Sequence, residues 1–64
     1  MAKVDDIIEG LQIMKKYGEV DVHAEHDEFS ADPAGGVGNL EDVKRLEVLG
    51  WHYDKRMMTW EIFT

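Results

Sequence analysis

Sixty-four residues without a single cysteine must hold a fold together with little help. A chain this short hides only about 60% of its unfolded surface on folding. Small domains commonly compensate with disulfides or a thiolate-bound metal, and this sequence can build neither, nor a thiol nucleophile. Its core must come from apolar side chains placed at the right period. At 44% hydrophobic residues, there is enough for one domain spanning 1–64. No apolar run approaches the roughly 20 residues a membrane span needs. Asp5 and Asp6 sit where the apolar stretch of a secretory leader would lie, so a cytoplasmic protein is expected.

The periodicity is legible. Val4, Ile7, Ile8, Leu11 and Met14 share one helical face, and Asp6 with Glu9 has the spacing of a capping box. Lys15 and Lys16 suit the other end, with Gly18 as the stop, so a helix is predicted from about Asp5 to Tyr17. Residues 20–24 and 28–31 alternate apolar and polar, giving a hairpin around His26-Asp27. A two-residue or a four-residue loop there gives the same pairing: Ala24 with Phe29 and Val22 with Ala31 on the apolar side. On the polar side Glu25 faces Glu28, His23 faces Ser30 and Asp21 faces Asp32. A loop rich in glycine follows, from Asp32 to Gly38. Asn39 caps a second helix with the stripe Leu40, Val43, Leu46 and Leu49, ended by Gly50. Residues 51–63 read as a second hairpin around Lys55-Arg56, with Trp51 opposite Trp60, Tyr53 opposite Met58 and His52 opposite Thr59.

The order α-β-β-α-β-β implies an α+β fold: an antiparallel sheet with both helices packed on one face. The helix stripes, Val20, Val22, Ala24, Phe29, Trp51, Tyr53, Met58, Trp60 and Ile62 are then the expected core. The other sheet face is expected to expose Asp21, His23, Glu25, Glu28, Ser30, Asp32, His52, Thr59 and Glu61.

Charge sharpens this picture. The net charge is −7, from 14 acidic and 7 basic residues, which argues against direct binding to nucleic acid or to anionic membranes. Between Tyr17 and Val43 lie eight acids and no Lys or Arg, while the rest of the chain holds six acids and all seven bases. A solvated face that keeps a small protein soluble would account for an acidic stretch. Like charges directly across a ladder are nonetheless unfavourable, by about 0.2–1 kcal/mol a pair, and the predicted hairpin creates two such pairs without interleaving a lysine.

Chemistry is less well served. His23, His26, Asp27 and His52 offer metal-ligating types at a spacing of little specificity, and surface histidines explain them as well, so no metal or other cofactor is expected. Glu25 and Glu28 as an acid–base pair would need a pocket that excludes water. Ser30, the only serine, has His23 opposite but no oxyanion hole. Gly35-Gly36-Val37-Gly38 lacks the basic residue of a phosphate-cradling loop. No catalytic residue is assigned, and a non-enzymatic protein is expected.

Carboxylates on alternate residues of a strand stand about 6.5–7 Å apart, and neighbouring strands lie about 4.8 Å apart. A face built this way presents fixed negative charge at spacings of the same order as phosphates. A groove lined with Lys and Arg to hold a nucleic-acid backbone would attract it, in a salt-dependent way. The expected partner-binding residues are Asp21, Glu25, Asp27, Glu28, Asp32 and Glu61, with Met57 and Phe63 as apolar contacts at the rim. An acidic module with an ordinary protein partner fits the same features.

Ala24-Glu25-His26-Asp27-Glu28-Phe29, then Leu46-x-x-Leu49-Gly50-Trp51-His52-x-Asp54, then Trp60-x-x-Phe63 resembles a family of short acidic proteins from bacteria, phages and mobile elements, over roughly residues 11–64. In size, acidity and pattern the chain is also similar to small phage anti-CRISPR proteins, including a type I-C inhibitor. The resemblance implies a monomer in the host bacterial cytoplasm that binds the Cascade surveillance complex and blocks target DNA engagement, without cofactor or catalysis. It supplies no catalytic residues to carry over.

Overall fold

Two helices and four strands follow one another in the order α-β-β-α-β-β in the computed structural model, which describes residues 2–64. Helix α1 spans Val4–Lys15 and α2 Leu40–Leu49; the strands are β1 Val20–Glu25, β2 Glu28–Pro33, β3 His52–Asp54 and β4 Thr59–Phe63. The sheet is antiparallel throughout, in the order β1-β2-β4-β3. The α+β class and the element order agree with the sequence pattern. Among the described residues, no helix is long and apolar enough to cross a membrane.

The ends of α2 form as the sequence predicts. The Asn39 side chain accepts from the backbone N–H groups of Glu41 and Asp42, and Gly50 closes the helix with φ of 105°, a left-handed conformation that favours glycine. Helix α1 starts differently. Its cap is Lys3, with no side-chain hydrogen bond, so the capping box at Asp6 and Glu9 does not form. Glu9 instead accepts from Arg45 of α2 at 2.6 and 3.0 Å. Asp5 and Asp6 still lie in the first turn and Lys15 in the last, where their charges complement the helix dipole.

Between the helices and the sheet lies a core of Met14, Ala31, Leu46, Leu49, Trp51, Trp60 and Ile62. Trp51 ties its parts together. Its indole N–H donates to the Asp6 carbonyl of α1 at 3.1 Å. Its ring stands edge-on to Phe29 of β2, with centroids 6.2 Å apart. Its backbone N–H donates to the Leu46 carbonyl at the end of α2. The indole reaches α1 because residue 10 is glycine: a Cβ there would overlap the ring, coming within 2.6 Å of Cε2. Gly10, which looks like a weakness in the helix pattern, is therefore the close-packing position.

The helical layer covers less of the sheet than the pattern predicts. Val22, Ala24, Tyr53 and Met58, all expected in the core, are exposed, as are Val4, Ile8 and Leu40 on the helix stripes. Helix α1 is anchored on Trp51 and packs against α2, β1 and β2; it half-buries Val20 of edge strand β1 but leaves Val22 and Ala24 uncovered. The second hairpin differs in register. His52 faces Glu61, Tyr53 faces Trp60 and Asp54 faces Thr59, each two residues further along β4 than the sequence suggested. Asp54 is the cause. Its carboxylate accepts from the N–H groups of Arg56 and Met57, and its carbonyl accepts from the N–H of Met58. The resulting four-residue loop holds Met58 at φ of 58° and outside the core. Because the slip is by two residues, each side chain keeps its face.

The start of α2 and the end of α1 are joined by polar contacts. The Tyr17 hydroxyl donates to Asp42 at 2.5 Å, and the Lys16 ammonium lies 2.9 Å from the same carboxylate oxygen. The Tyr17 bond first, and Lys16 second, hold the Asp42 carboxyl below the ordinary aspartate range. One of the acids of the central block is thus already paired.

Two outcomes are expected. Gly10→Ala should destabilise the fold by about 1–3 kcal/mol in urea unfolding, the cost of overpacking, although helix propensity alone favours alanine by about 1 kcal/mol; a stabilised variant would show that the indole does not occupy this space. A carboxyl whose pKa is depressed by folding adds stability above its unfolded pKa and loses it as pH falls through the folded value. Tyr17→Phe should therefore lose less stability than the parent protein between neutral pH and pH below about 3.9, measured as the shift of the urea midpoint.

Candidate functional site

Strand alternation sends one set of side chains toward the helices and the other to a face that no helix covers. On that face the first hairpin has the predicted register: Asp21 opposite Asp32, His23 opposite Ser30 and Glu25 opposite Glu28. Strand β4 then pairs with β2 so that Ser30 faces Glu61 and Glu28 faces Phe63. Strand β3 adds His52 and Asp54 to the same face. Six carboxylates, those of Asp21, Glu25, Glu28, Asp32, Asp54 and Glu61, share this side of four strands. Asp27 lies beside them in the exposed β1–β2 turn.

The face is not flat. An open basin of about 590 Å³ crosses it, lined by residues from all four strands and the β3–β4 loop. Glu25, Glu28, Asp54 and Glu61 supply its acids, and Arg56 is the one Lys or Arg among the lining residues, beside His23 and His52. Met57 and Phe63 line it as well and are exposed, as expected for rim contacts. Asp21 and Asp32 lie outside this basin, around a smaller hollow that also touches His23, Ser30 and Thr59.

Glu61 departs most from the expectation of an exposed acid. It is 8% exposed, on a face that the sequence pattern makes solvent-facing. Its carboxylate lies 3.1 Å from His52 Nε2 and accepts from the Thr59 hydroxyl at 3.4 Å. The His52 ring stacks on Phe63, with centroids 5.3 Å apart and planes 26° from parallel. Phe63 and His52 thus roof the carboxylate, and His52 supplies the hydrogen bond a buried acid needs. The register of the second hairpin creates this arrangement, since it places His52 opposite Glu61 rather than opposite Thr59.

Glu28, His52 and Glu61 bring ligand-type atoms within 4.8 Å of one another. These are the groups that could hold a divalent cation. Of the residues that the sequence suggests, only His52 belongs to this group; His23, His26 and Asp27 do not. His23 lies 3.8 Å from Glu25 on its own strand, and His26 sits in the turn with φ of 52°. In the structure Glu61 and His52 satisfy each other and need no ion to do so.

Asp54 also has a structural task. Backbone N–H groups, from Met57 first and then Arg56, hold its carboxyl below the ordinary range, and these bonds shape the loop that presents Met57 and Arg56. The remaining acids of the face, Asp21, Glu25, Glu28 and Asp32, make no hydrogen bond or ion pair with Lys or Arg among the described residues.

His52→Ala should remove both the hydrogen bond to Glu61 and part of the roof over its carboxylate, leaving the Thr59 hydroxyl bond. An expected loss of about 0.5–1.5 kcal/mol follows from the lost hydrogen bond, measured by denaturant unfolding. Pairing His52→Ala with Glu61→Leu should recover part of that loss; a double variant less stable than His52→Ala would contradict the assigned bond. No protein-family model matches this chain, and no curated protein or solved structure matches it at a significant level.

Proposed function

We propose that this chain is a non-enzymatic inhibitor that lays the outer face of its sheet into a basic nucleic-acid-binding groove of a protein partner. One observation carries this reading: Asp21 faces Asp32 and Glu25 faces Glu28 across the same ladder. Each like-charge pair costs about 0.2–1 kcal/mol. Small domains have only a few kcal/mol of stability to spend on such an arrangement. Solubility does not require it, because acids and lysines can alternate at no such cost. A row of lysines and arginines shaped for phosphates recovers that cost on binding and gains fast, salt-sensitive association.

The partner proposed is a type I CRISPR surveillance complex, Cascade, with target DNA excluded from its groove in an anti-CRISPR manner. The binding residues are Asp21, Glu25, Asp27, Glu28 and Asp32. Glu61 contributes charge from beneath the His52–Phe63 roof rather than direct contact. The setting proposed is the bacterial cytoplasm, with the chain acting as a monomer encoded by a phage or mobile element. A second reading is favoured by the exposed Met57 and Phe63 beside the basin: an accessory module that docks on an ordinary protein surface through those side chains.

Glu28→Lys with Asp32→Lys separates the two. Each substitution turns a like-charge pair into an opposite-charge pair, so the fold should gain about 0.2–1 kcal/mol per pair. Binding to a type I surveillance complex at low salt should weaken at least about tenfold, or 1.4 kcal/mol, and lose most of its salt dependence. A variant that is more stable and inhibits DNA binding as well as the parent would sink the groove-occupying reading. Loss of binding in Met57→Ala with Phe63→Ala, unchanged between low and high salt, would favour the docking module.

A further inference from the structure

The first strand of the sheet is an open edge. Strand β1 pairs with β2 on one side and, among the described residues, with no strand on the other. The Ala34 N–H donates to the Glu19 carbonyl, and in the observed register that makes residues 21, 23 and 25 the hydrogen-bonded partners of β2. The N–H and C=O groups of Val20, Val22 and Ala24 therefore point outward from the sheet. These six residues contain no proline and no lysine, and their pairing with β2 runs through without a bulge. Of the usual devices that close an edge to further strands, proline and bulges are missing and only charge remains, as the acids Asp21 and Glu25.

The flanks of this edge are as unfinished as its backbone. On the helix side, Val22 is 56% exposed and Ile8 47% exposed. They line an apolar groove of about 450 Å³ between α1 and β1, together with Leu11 and Val20 and with Lys15 and Glu19 at its lip. On the other side β1 presents Asp21 and Glu25. An added strand would set one row of its side chains against the groove and the alternate row against these acids.

We propose that β1 is a docking edge for an extended segment of a partner protein whose residues alternate apolar and basic. The segment adds a fifth strand by main-chain hydrogen bonds to Val20, Val22 and Ala24. Its apolar residues cover Val22 and Ile8, and its lysines or arginines stand beside Asp21 and Glu25. Charge disfavours a second copy of this chain. Antiparallel self-pairing must join the outward groups of residues 20, 22 and 24, and the three registers with the greatest overlap set Asp21 against Asp21, Glu19 against Glu25, or Asp21 against Glu25. Each chain also carries a net charge of −7. The edge thus disfavours its own kind and accepts a basic strand. This inference shares Asp21 and Glu25 with the groove-occupying reading but rests on the open main-chain edge of β1, whereas that reading is tested on β2 by Glu28→Lys with Asp32→Lys.

The test uses the full chain, isotopically labelled, and a capped heptapeptide of alternating lysine and valine. The expected result is a shift of the Val20, Val22 and Ala24 amide signals, with at least tenfold slower hydrogen exchange at saturation. A peptide of the same composition with its lysines in one block should bind at least tenfold more weakly. Val22→Pro removes an outward N–H but no bond to β2, so it should keep the fold and weaken the alternating peptide at least tenfold. Asp21→Lys with Glu25→Lys, which needs no backbone change, should reject the lysine–valine peptide and accept a glutamate–valine one. Equal binding of the blocked peptide, unprotected β1 amides, or a charge-swapped variant without the switched preference would each overturn the proposal. A dimer in sedimentation would overturn it in favour of self-pairing.

Discussion

The buried indole of Trp51 is the contact on which the rest of the structure depends. A domain of 64 residues has room for few large core side chains, and this one reaches every layer. It hydrogen-bonds the first helix at the Asp6 carbonyl, follows the cap of the second helix at Gly50, and stands edge-on to Phe29 in the sheet. The space it occupies exists because Gly10 has no side chain. Helix α1 gives up about 1 kcal/mol of helix propensity at that position and in return approaches the ring closely. That contact also sets where α1 lies, and so decides which strands are covered.

Anchoring the helix there has consequences on both sides of the sheet. On the helix side, Val22 and Ala24 of β1 are left open, with Val22 and Ile8 flanking a groove. On the far side no helix covers the ladder at all, and charged side chains can line up across the strands. The two sides differ in the kind of recognition they suit. The outer face carries closely spaced acids with little local neutralisation, which suits long-range attraction to a basic surface. The edge carries main-chain donors and acceptors, which suit short-range, directional pairing with a strand.

Eight of the 14 acids fall into two groups by the work they do. Glu9, Asp42, Asp54 and Glu61 each have a named structural partner: Arg45, Tyr17 with Lys16, the β3–β4 loop backbone, and His52 respectively. Asp21, Glu25, Glu28 and Asp32 have none among Lys and Arg and sit opposite one another. The net charge counts both groups alike. Only the second group sets like charges opposite one another, and His23, 3.8 Å from Glu25, is the one ion-pair contact it makes among the described residues.

The sequence by itself determined the element types, both faces of the sheet and the register of the first hairpin. Those depend on side-chain period and local loop chemistry: a strand repeats every two residues, a helix every 3.6, and Asn39 and Gly50 carry their capping roles in their own covalent structure. The tertiary structure decided the rest. Asp54 drew the second hairpin two residues along β4 by binding the loop N–H groups, a choice among registers that share the same alternation. That register brought His52 over Glu61, which turned a predicted surface acid into a buried one. The exposure of Val22, Ala24 and Tyr53 was likewise hidden from the pattern, because period tells which way a side chain points but not whether another layer reaches it. Coverage depends on where the helices settle, and in this chain a tryptophan packed on a glycine 41 positions earlier in the sequence settles α1.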